Sequence, residues 1–229
     1  MSQILILRPE PGAGASAARA RALGLEPMVA PLFTIRPLEW QSPEGPFGAL
    51  LLTSANAPRH AGAGLAQFLH LPCFAVGEAT AAAAREAGFA SIETGPADGA
   101  AALALAAEKG FRQILHLCGR DHVELSHPNA TVVSRAVYAA DAAHALSTEA
   151  VAALDADALV LLHSPRAAAA FAALAGDRAR IRIAAISRAA ADAAGPGWAE
   201  VHVAQAPRDQ ALLELAAKLC KTMSPKGSA

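Results

Sequence analysis

Short runs of Leu, Ile and Val alternate along the chain with longer Ala-rich stretches. The runs predict strands over residues 3–7, 27–37, 49–53, 73–76, 91–94, 113–117, 130–138, 158–163, 181–186 and 200–204. The stretches between them predict helices, among them 16–23, 78–87, 99–109, 165–174, 188–194 and 209–220. A strand that is apolar at every position, rather than at every second one, is buried on both faces. Such strands separated by helix-length segments are the pattern of βα units around a parallel sheet. The expected class is therefore α/β.

The pattern also repeats. A shift of 110 residues sets Ile4-Leu5-Ile6-Leu7 on Ile114-Leu115-His116-Leu117, and Leu51-Leu52-Thr53-Ser54 on Leu161-Leu162-His163-Ser164. The same shift sets Phe74-Ala75-Val76-Gly77 on Ala184-Ala185-Ile186-Ser187. A period this long exceeds the roughly 20–50 residues of solenoid repeats and indicates a duplicated domain of about five strands per copy. The simplest expectation is two tandem lobes, near 1–110 and 111–229, with a ligand cleft between them.

Composition narrows the function classes. With 54% hydrophobic residues a core is easily built, and with only 4% aromatics it must be packed by Leu, Val and Ile. A net charge of −1 argues against a general nucleic-acid binder, which needs a basic surface to displace counterions. The three cysteines, Cys73, Cys118 and Cys220, show no pairing signature, which suits a reducing cytoplasm. No apolar run approaches the ~20 residues of a membrane span, and the N-terminus carries no signal-peptide pattern. The tail 224–229 reads as disordered.

Candidate chemistry gathers where predicted strands give way to helices, the place where open α/β sheets bind ligands. These turns are Thr53-Ser54-Ala55-Asn56, Gly77-Glu78-Ala79-Thr80, Gly119-Arg120, His163-Ser164-Pro165-Arg166 and Ser187-Arg188. Ser164 before Pro165 fits a helix N-cap followed by Pro at the first helical position. Helix starts offer free N–H groups to carboxylates or phosphates. Arg8, Arg120, Arg166 and Arg188 all follow strands, and arginine pairs bidentately with such anions. Tyr138, the only tyrosine, ends a predicted strand. It reads equally as a packing residue and as a hydrogen-bond donor or general acid at the ligand.

Other motifs carry less. Gly12-Ala13-Gly14-Ala15-Ser16-Ala17 matches a dinucleotide fingerprint, but Arg8-Pro9-Glu10-Pro11 separates it from the strand and no acidic residue closes the second strand. A nucleotide-dependent dehydrogenase is therefore disfavoured. His163-Ser164 with Asp157 lacks the elbow of a hydrolase. His116 and His163 fall on buried strands as core residues or ligand contacts, and His122 and His127 read as loop or surface residues. None has zinc-ligand spacing, and no metal is expected.

In order and spacing, Leu52-Thr53-Ser54-Ala55-Asn56-Ala57, Val76-Gly77-Glu78-Ala79-Thr80, Val137-Tyr138, His163-Ser164-Pro165-Arg166 and Ile186-Ser187-Arg188 resemble the uroporphyrinogen-III synthase family of haem biosynthesis. The resemblance runs from Ile4 to Leu213. It implies two similar parallel-sheet, flavodoxin-like lobes joined by a two-stranded linker, with the active site in the interlobe cleft. Lobe 1 would comprise 1–35 and 143–229, lobe 2 would comprise 36–142, and the linker strands would lie near 32–38 and 132–140.

The implied reaction closes the linear tetrapyrrole hydroxymethylbilane, inverting its ring D, to give uroporphyrinogen III and water without a cofactor. Tyr138 matches the family's linker tyrosine as the candidate general acid. The implied substrate contacts are Arg8, Ser54, Ala55, Asn56, Gly77, Ala79, Thr80, Gly119, Arg120, Ser164, Arg166, Ser187 and Arg188. Ser187 and Ala190 depart from the family pattern, which has glycine and commonly threonine there. The expected protein is a cytoplasmic monomer that binds neither nucleic acid nor membrane, with the preceding bilane-forming enzyme as a candidate partner. A competing reading is a non-catalytic two-lobed binder of an anionic small molecule.

Overall fold

The computed structural model describes residues 3–95 and 98–222; the tail 224–229 lies outside the described residues. In chain order the elements are β1 (Gln3–Ile6), α1 (Gly12–Ala22), β2 (Glu26–Val29), β3 (Phe33–Pro37), β4 (Ala49–Leu52), α2 (Asn56–His60), β5 (Cys73–Val76), α3 (Glu78–Glu86), β6 (Ile92–Gly95) and α4 (Gly99–Glu108). They continue with β7 (Gln113–Gly119), β8 (Thr131–Ala142), α5 (Thr148–Asp155), β9 (Leu159–Leu162), α6 (Pro165–Leu174), β10 (Arg182–Ala185), α7 (Arg188–Ala194), β11 (Glu200–Val203) and α8 (Asp209–Thr222). Short 3-10 turns occupy Gly62–Phe68 and Arg178–Arg180.

The chain divides into two compact units, one of Met1–Thr34 with Ala142–Ala229 and one of Ile35–Asp141. The first holds a sheet in the order β11-β10-β9-β1-β2, in which every pairing is parallel. The second is built on a sheet in the order β3-β8-β7-β4-β5-β6, and its pairings from β8 to β6 are parallel. The 110-residue shift seen in the sequence relates β1 to β7, β4 to β9 and β5 to β10. Equivalent strands therefore hold equivalent places in the two sheets. Each sheet draws on both copies: the first joins β1 and β2 to β9, β10 and β11, and the second joins β3 to β6 with β7 and β8. The expectation of tandem units at 1–110 and 111–229 is therefore corrected.

Continuous apolar strands have the expected consequence. All four residues of β4 and all four of β9 are buried. Leu50 and Leu52 pack on one face with Leu65, Phe68, Leu115 and Leu117, while Leu51 packs on the other with Phe74, Leu103 and Ile114. In the first unit, Ile4, Ile6, Leu159 and Leu161 pack against Leu212, Leu213 and the alanines of α1. Small side chains at Ala13, Ala17 and Ala20 let that helix lie close to the sheet. Among the described residues, no helix is long and apolar enough to cross a membrane.

Several boundaries differ from the sequence expectation, among them the start of α1 at Gly12 rather than at residue 16. The strand expected over 27–37 is two strands, with Pro31 between them. Ala30 N–H still bonds to the Ile6 carbonyl and Leu32 N–H to the Leu7 carbonyl, after which the chain enters β3. The strand expected to end at Tyr138 continues to Ala142, so Tyr138 lies inside β8. Helices α2 and α5 are additions. The start of α5 is set by Ser147, whose hydroxyl accepts the Ala150 N–H at 3.2 Å.

Leu161→Ala in the centre of the first sheet is expected to cost about 2–5 kcal/mol, as fully buried Leu→Ala changes do. The midpoint of urea unfolding reads this directly.

Candidate functional site

In the second unit, the strand order reverses between β4 and β7, and the carboxyl ends of those strands hold the densest polar cluster. Thr53 and Ser54 follow β4. The Ser54 hydroxyl accepts the Asn56 N–H at 3.2 Å, which turns the chain into α2. After β5, Gly77 takes φ +75° at the start of α3, where no side chain caps the helix. Thr80 is buried in the first turn of that helix.

A register shift between Cys118 and Gly119 brings Gly119 opposite Tyr138. A bulge of this kind re-aims a side chain. Here the phenol lies over Gly119, where a β-carbon would come within 2.8 Å of the Tyr138 ring and 3.0 Å of its hydroxyl. Glycine is thus required by close approach, and its φ is ordinary. The His60 ring stands beside the phenol, with centroids 6.3 Å apart. Burial, then the neighbouring Arg59, lowers the pKa of His60 below the ordinary histidine value and favours a neutral ring.

Behind this surface lies His116, which is 1% exposed. Its Nε2 is 3.1 Å from Thr53 Oγ1 and its Nδ1 3.2 Å from Ser134 Oγ. Burial, then the positive charge that His122 takes up when protonated, pushes its pKa down to about 4. His122 stacks edge-on against it at 5.7 Å and donates from Nδ1 to the Gly119 carbonyl at 3.0 Å. His122 lies in the loop after β7, as one of its two readings has it, and is half-buried. Nothing in its sequence neighbourhood marks this role, because the contact depends on the bulge in β7.

Arg120 is exposed but already paired. Its Nη2 donates to Asp141 at 2.8 Å, and Asp141 also accepts from Arg36. Hydrogen bonds from Arg36 and then Arg120 hold the Asp141 carboxyl below the usual carboxylate range.

In the first unit the strand order reverses between β1 and β9, and Asp209, the first residue of α8, is the hub. It accepts from Ser16 Oγ at 2.6 Å, Arg19 Nη1 at 2.7 Å, His163 Nε2 at 3.0 Å and Arg8 Nη1 at 3.4 Å. Burial alone would raise this carboxyl, but the bonds from His163, Ser16 and Arg19 outweigh it and hold the group well below its ordinary value.

Ser164 caps α6 by accepting the Ala167 N–H at 3.1 Å, with Pro165 next, as its sequence indicates. Ser187 stands where the other copy has Gly77, and it solves the turn differently. It adopts an extended φ of −155° and accepts the Ala190 N–H at 3.3 Å. Arg166 lies over the Phe33 ring, 4.8 Å from its centroid. Arg188 is exposed at the first position of α7.

The family model for uroporphyrinogen-III synthase HemD matches residues 14–214, most of the chain. The chain belongs to the uroporphyrinogen-III synthase family. Uroporphyrinogen-III synthetase from Helicobacter pylori 26695 has a similar fold, with TM-score 0.65 at 18% identity, covering 96% of this chain and 100% of that one. A mutant uroporphyrinogen III synthase from the extremely thermophilic bacterium Thermus thermophilus matches with TM-score 0.53 at 14% identity, covering 97% and 100%. No curated protein sequence matches the chain. The family's members are cyclising lyases of haem biosynthesis that act on a linear tetrapyrrole.

Family membership agrees with what the side chains do at the rejected motifs. At the glycine-rich start of α1, the Gly14 N–H is taken by the Glu10 carboxylate at 2.9 Å and the Arg8 guanidinium packs on Gly12. A pyrophosphate would meet a carboxylate there. Asp157 precedes β9 whereas His163 and Ser164 follow it, so the three form no hydrolase triad. Burial pushes the Cys73 thiol up to about 12 and the Cys118 thiol up to about 11, which removes both as nucleophiles. Among the described residues, no group of three or more His, Cys, Asp or Glu is placed to hold a metal.

Two outcomes are expected. Asp209→Asn leaves Arg8 and His163 facing a neutral amide and should destabilise the fold by roughly 3 kcal/mol, as breaking a partly buried ion pair does; chemical denaturation at pH 7 measures it. His116 should titrate near 4 rather than near its ordinary 6.5, as read from its ring-proton NMR shift. Because its folded pKa is depressed, its contribution to stability is complete above 6.5 and is lost as pH falls towards 4.

Proposed function

We propose that this chain closes hydroxymethylbilane to uroporphyrinogen III at the carboxyl ends of its strands, with Tyr138 assisting departure of the terminal hydroxyl. The observation that carries this reading is the placement of the phenol. Tyr138 is held against Gly119 by a bulge, with the His60 ring of α2 beside it.

Loss of the hydroxyl leaves an electrophilic azafulvene. The far pyrrole attacks it through its substituted carbon, giving a spiro intermediate, and reclosure inverts ring D. Closure through the free carbon gives the uninverted isomer instead. The protein's work is chiefly to favour one folded geometry of the bilane over another. Such orientation is worth roughly 7–11 kcal/mol of barrier. The reaction transfers no electrons, so no cofactor is proposed.

Carboxylates of the substrate would be held by N–H groups at Ala55, Asn56, Ala79, Gly119, Arg166 and Arg188 and by the hydroxyls of Ser54, Thr80, Ser164 and Ser187. Arg8, Arg120, Arg166 and Arg188 would add charge. In this reading the two units are flavodoxin-like lobes, 1–35 with 143–229 and 36–142. They are linked through strands near 32–38 and 132–140, and both contribute strand ends to binding. The protein works as a cytoplasmic monomer supplied by a bilane-forming enzyme.

Tyr138→Phe should lower kcat by about 10²–10⁴-fold, the usual range of proton assistance, with an unchanged circular dichroism spectrum. Single-turnover assays that separate the type III and type I isomers measure it. Wild-type turnover would remove the acid role.

A further inference from the structure

Ser134, His116 and Thr53 come from three adjacent strands, β8, β7 and the end of β4. Their side chains form an unbroken row, Ser134 Oγ to His116 Nδ1 at 3.2 Å and His116 Nε2 to Thr53 Oγ1 at 3.1 Å. The middle member is buried while Thr53 is half-buried at the strand end. The other copy has no such row. The equivalent of His116 in the other copy is Ile6, which is fully buried at the same place in its sheet. The equivalent of Thr53 is His163, which turns to Asp209 instead.

A neutral imidazole carries one ring proton, so the row has two arrangements. With the proton on Nδ1, His116 donates to Ser134. Thr53 must then donate to Nε2 and offers only lone pairs outward. With the proton on Nε2, Ser134 donates to Nδ1, His116 donates to Thr53, and the Thr53 proton is free to point outward. Hydrogen bonds in such a row polarise one another in a low-dielectric interior. A carboxylate accepts but cannot donate, so it is served by the second arrangement alone.

We propose that Ser134 and His116 are positioning residues that keep the Thr53 hydroxyl as a hydrogen-bond donor to a substrate carboxylate. This rests on the reading that the strand ends of the second unit hold the substrate. His122 supports it by packing against His116 and donating to the Gly119 carbonyl. A charged His116 would donate at both nitrogens and break the Ser134 step, and burial keeps it neutral.

The test is steady-state kinetics with hydroxymethylbilane on Thr53→Val, Ser134→Ala, His116→Leu and His116→Gln, each checked by circular dichroism. Thr53→Val, Ser134→Ala and His116→Leu should each raise KM about tenfold, the loss of one hydrogen bond to a charged acceptor, while kcat changes less than about twofold. His116→Gln, whose amide N–H takes the place of Nε2–H, should recover most of the KM. Ser134→Ala added to Thr53→Val should cost nothing further. If Thr53→Val raises KM but Ser134→Ala and His116→Leu only lower the melting temperature, the row is structural and the proposal is overturned, while the strand-end reading stands. If Thr53→Val and Ser54→Ala both leave KM unchanged, the strand-end reading itself fails and takes the proposal with it.

Discussion

A strand whose every side chain is apolar must be covered on both faces, and this requirement organises the molecule. Leu50, Leu51 and Leu52 are each fully buried, as are Ile4, Leu5 and Ile6. Their backbone N–H and C=O groups are satisfied only by neighbouring parallel strands, and parallel neighbours need helical crossovers. Polar side chains collect where the chain turns from strand to helix, and among the described residues His116 in β7 is the one polar side chain buried within a strand. The candidate chemistry therefore sits at those turns and on the β7–β8 pair, which carries His116, Ser134 and Tyr138.

At the turns, charge is already balanced by the protein. Asp209 holds Arg8 and Arg19, and Asp141 holds Arg36 and Arg120. Two of the arginines that the sequence suggests as partners for substrate carboxylates thus already face a carboxylate of the chain itself. The exposed pairs at Asp141 contribute little to stability, since surface ion pairs are typically worth about 0–1 kcal/mol. The more buried set at Asp209 joins the ends of two strands to two helices, and the bonds from His163, Ser16 and Arg19 hold the carboxylate in its charged form.

Much of this was legible in the residues. The bounds of β5, α6 and α7 coincide with the periodicity, and those of most other strands lie within one or two residues of it. Buried apolar strands and N-cap serines state themselves locally. What was not legible depends on distant parts of the chain. The break at Pro31 is visible only once the neighbouring strand is known. The bulge that sets Tyr138 on Gly119 is a property of the β7–β8 pairing. His116 looks like any core histidine until Thr53 and Ser134 are brought to it from 63 residues before and 18 after. Asp209 reads as the first residue of a helix, and its four partners lie far from it in sequence.

The exchange of strands between copies also sets an order of assembly during synthesis. Residues Ile35–Asp141 form a contiguous unit, complete as soon as that stretch has left the ribosome. The first unit is different. Its β1 pairs with β9 through Ile4 and Leu159, so the strand made first waits for one made long after. Until then the Ile4–Ile6 segment has only β2 as a neighbour, and one side of its ladder is open. Long closures of this kind slow folding and leave apolar edges exposed meanwhile. The first unit can therefore close its sheet only after the whole of the second has been made.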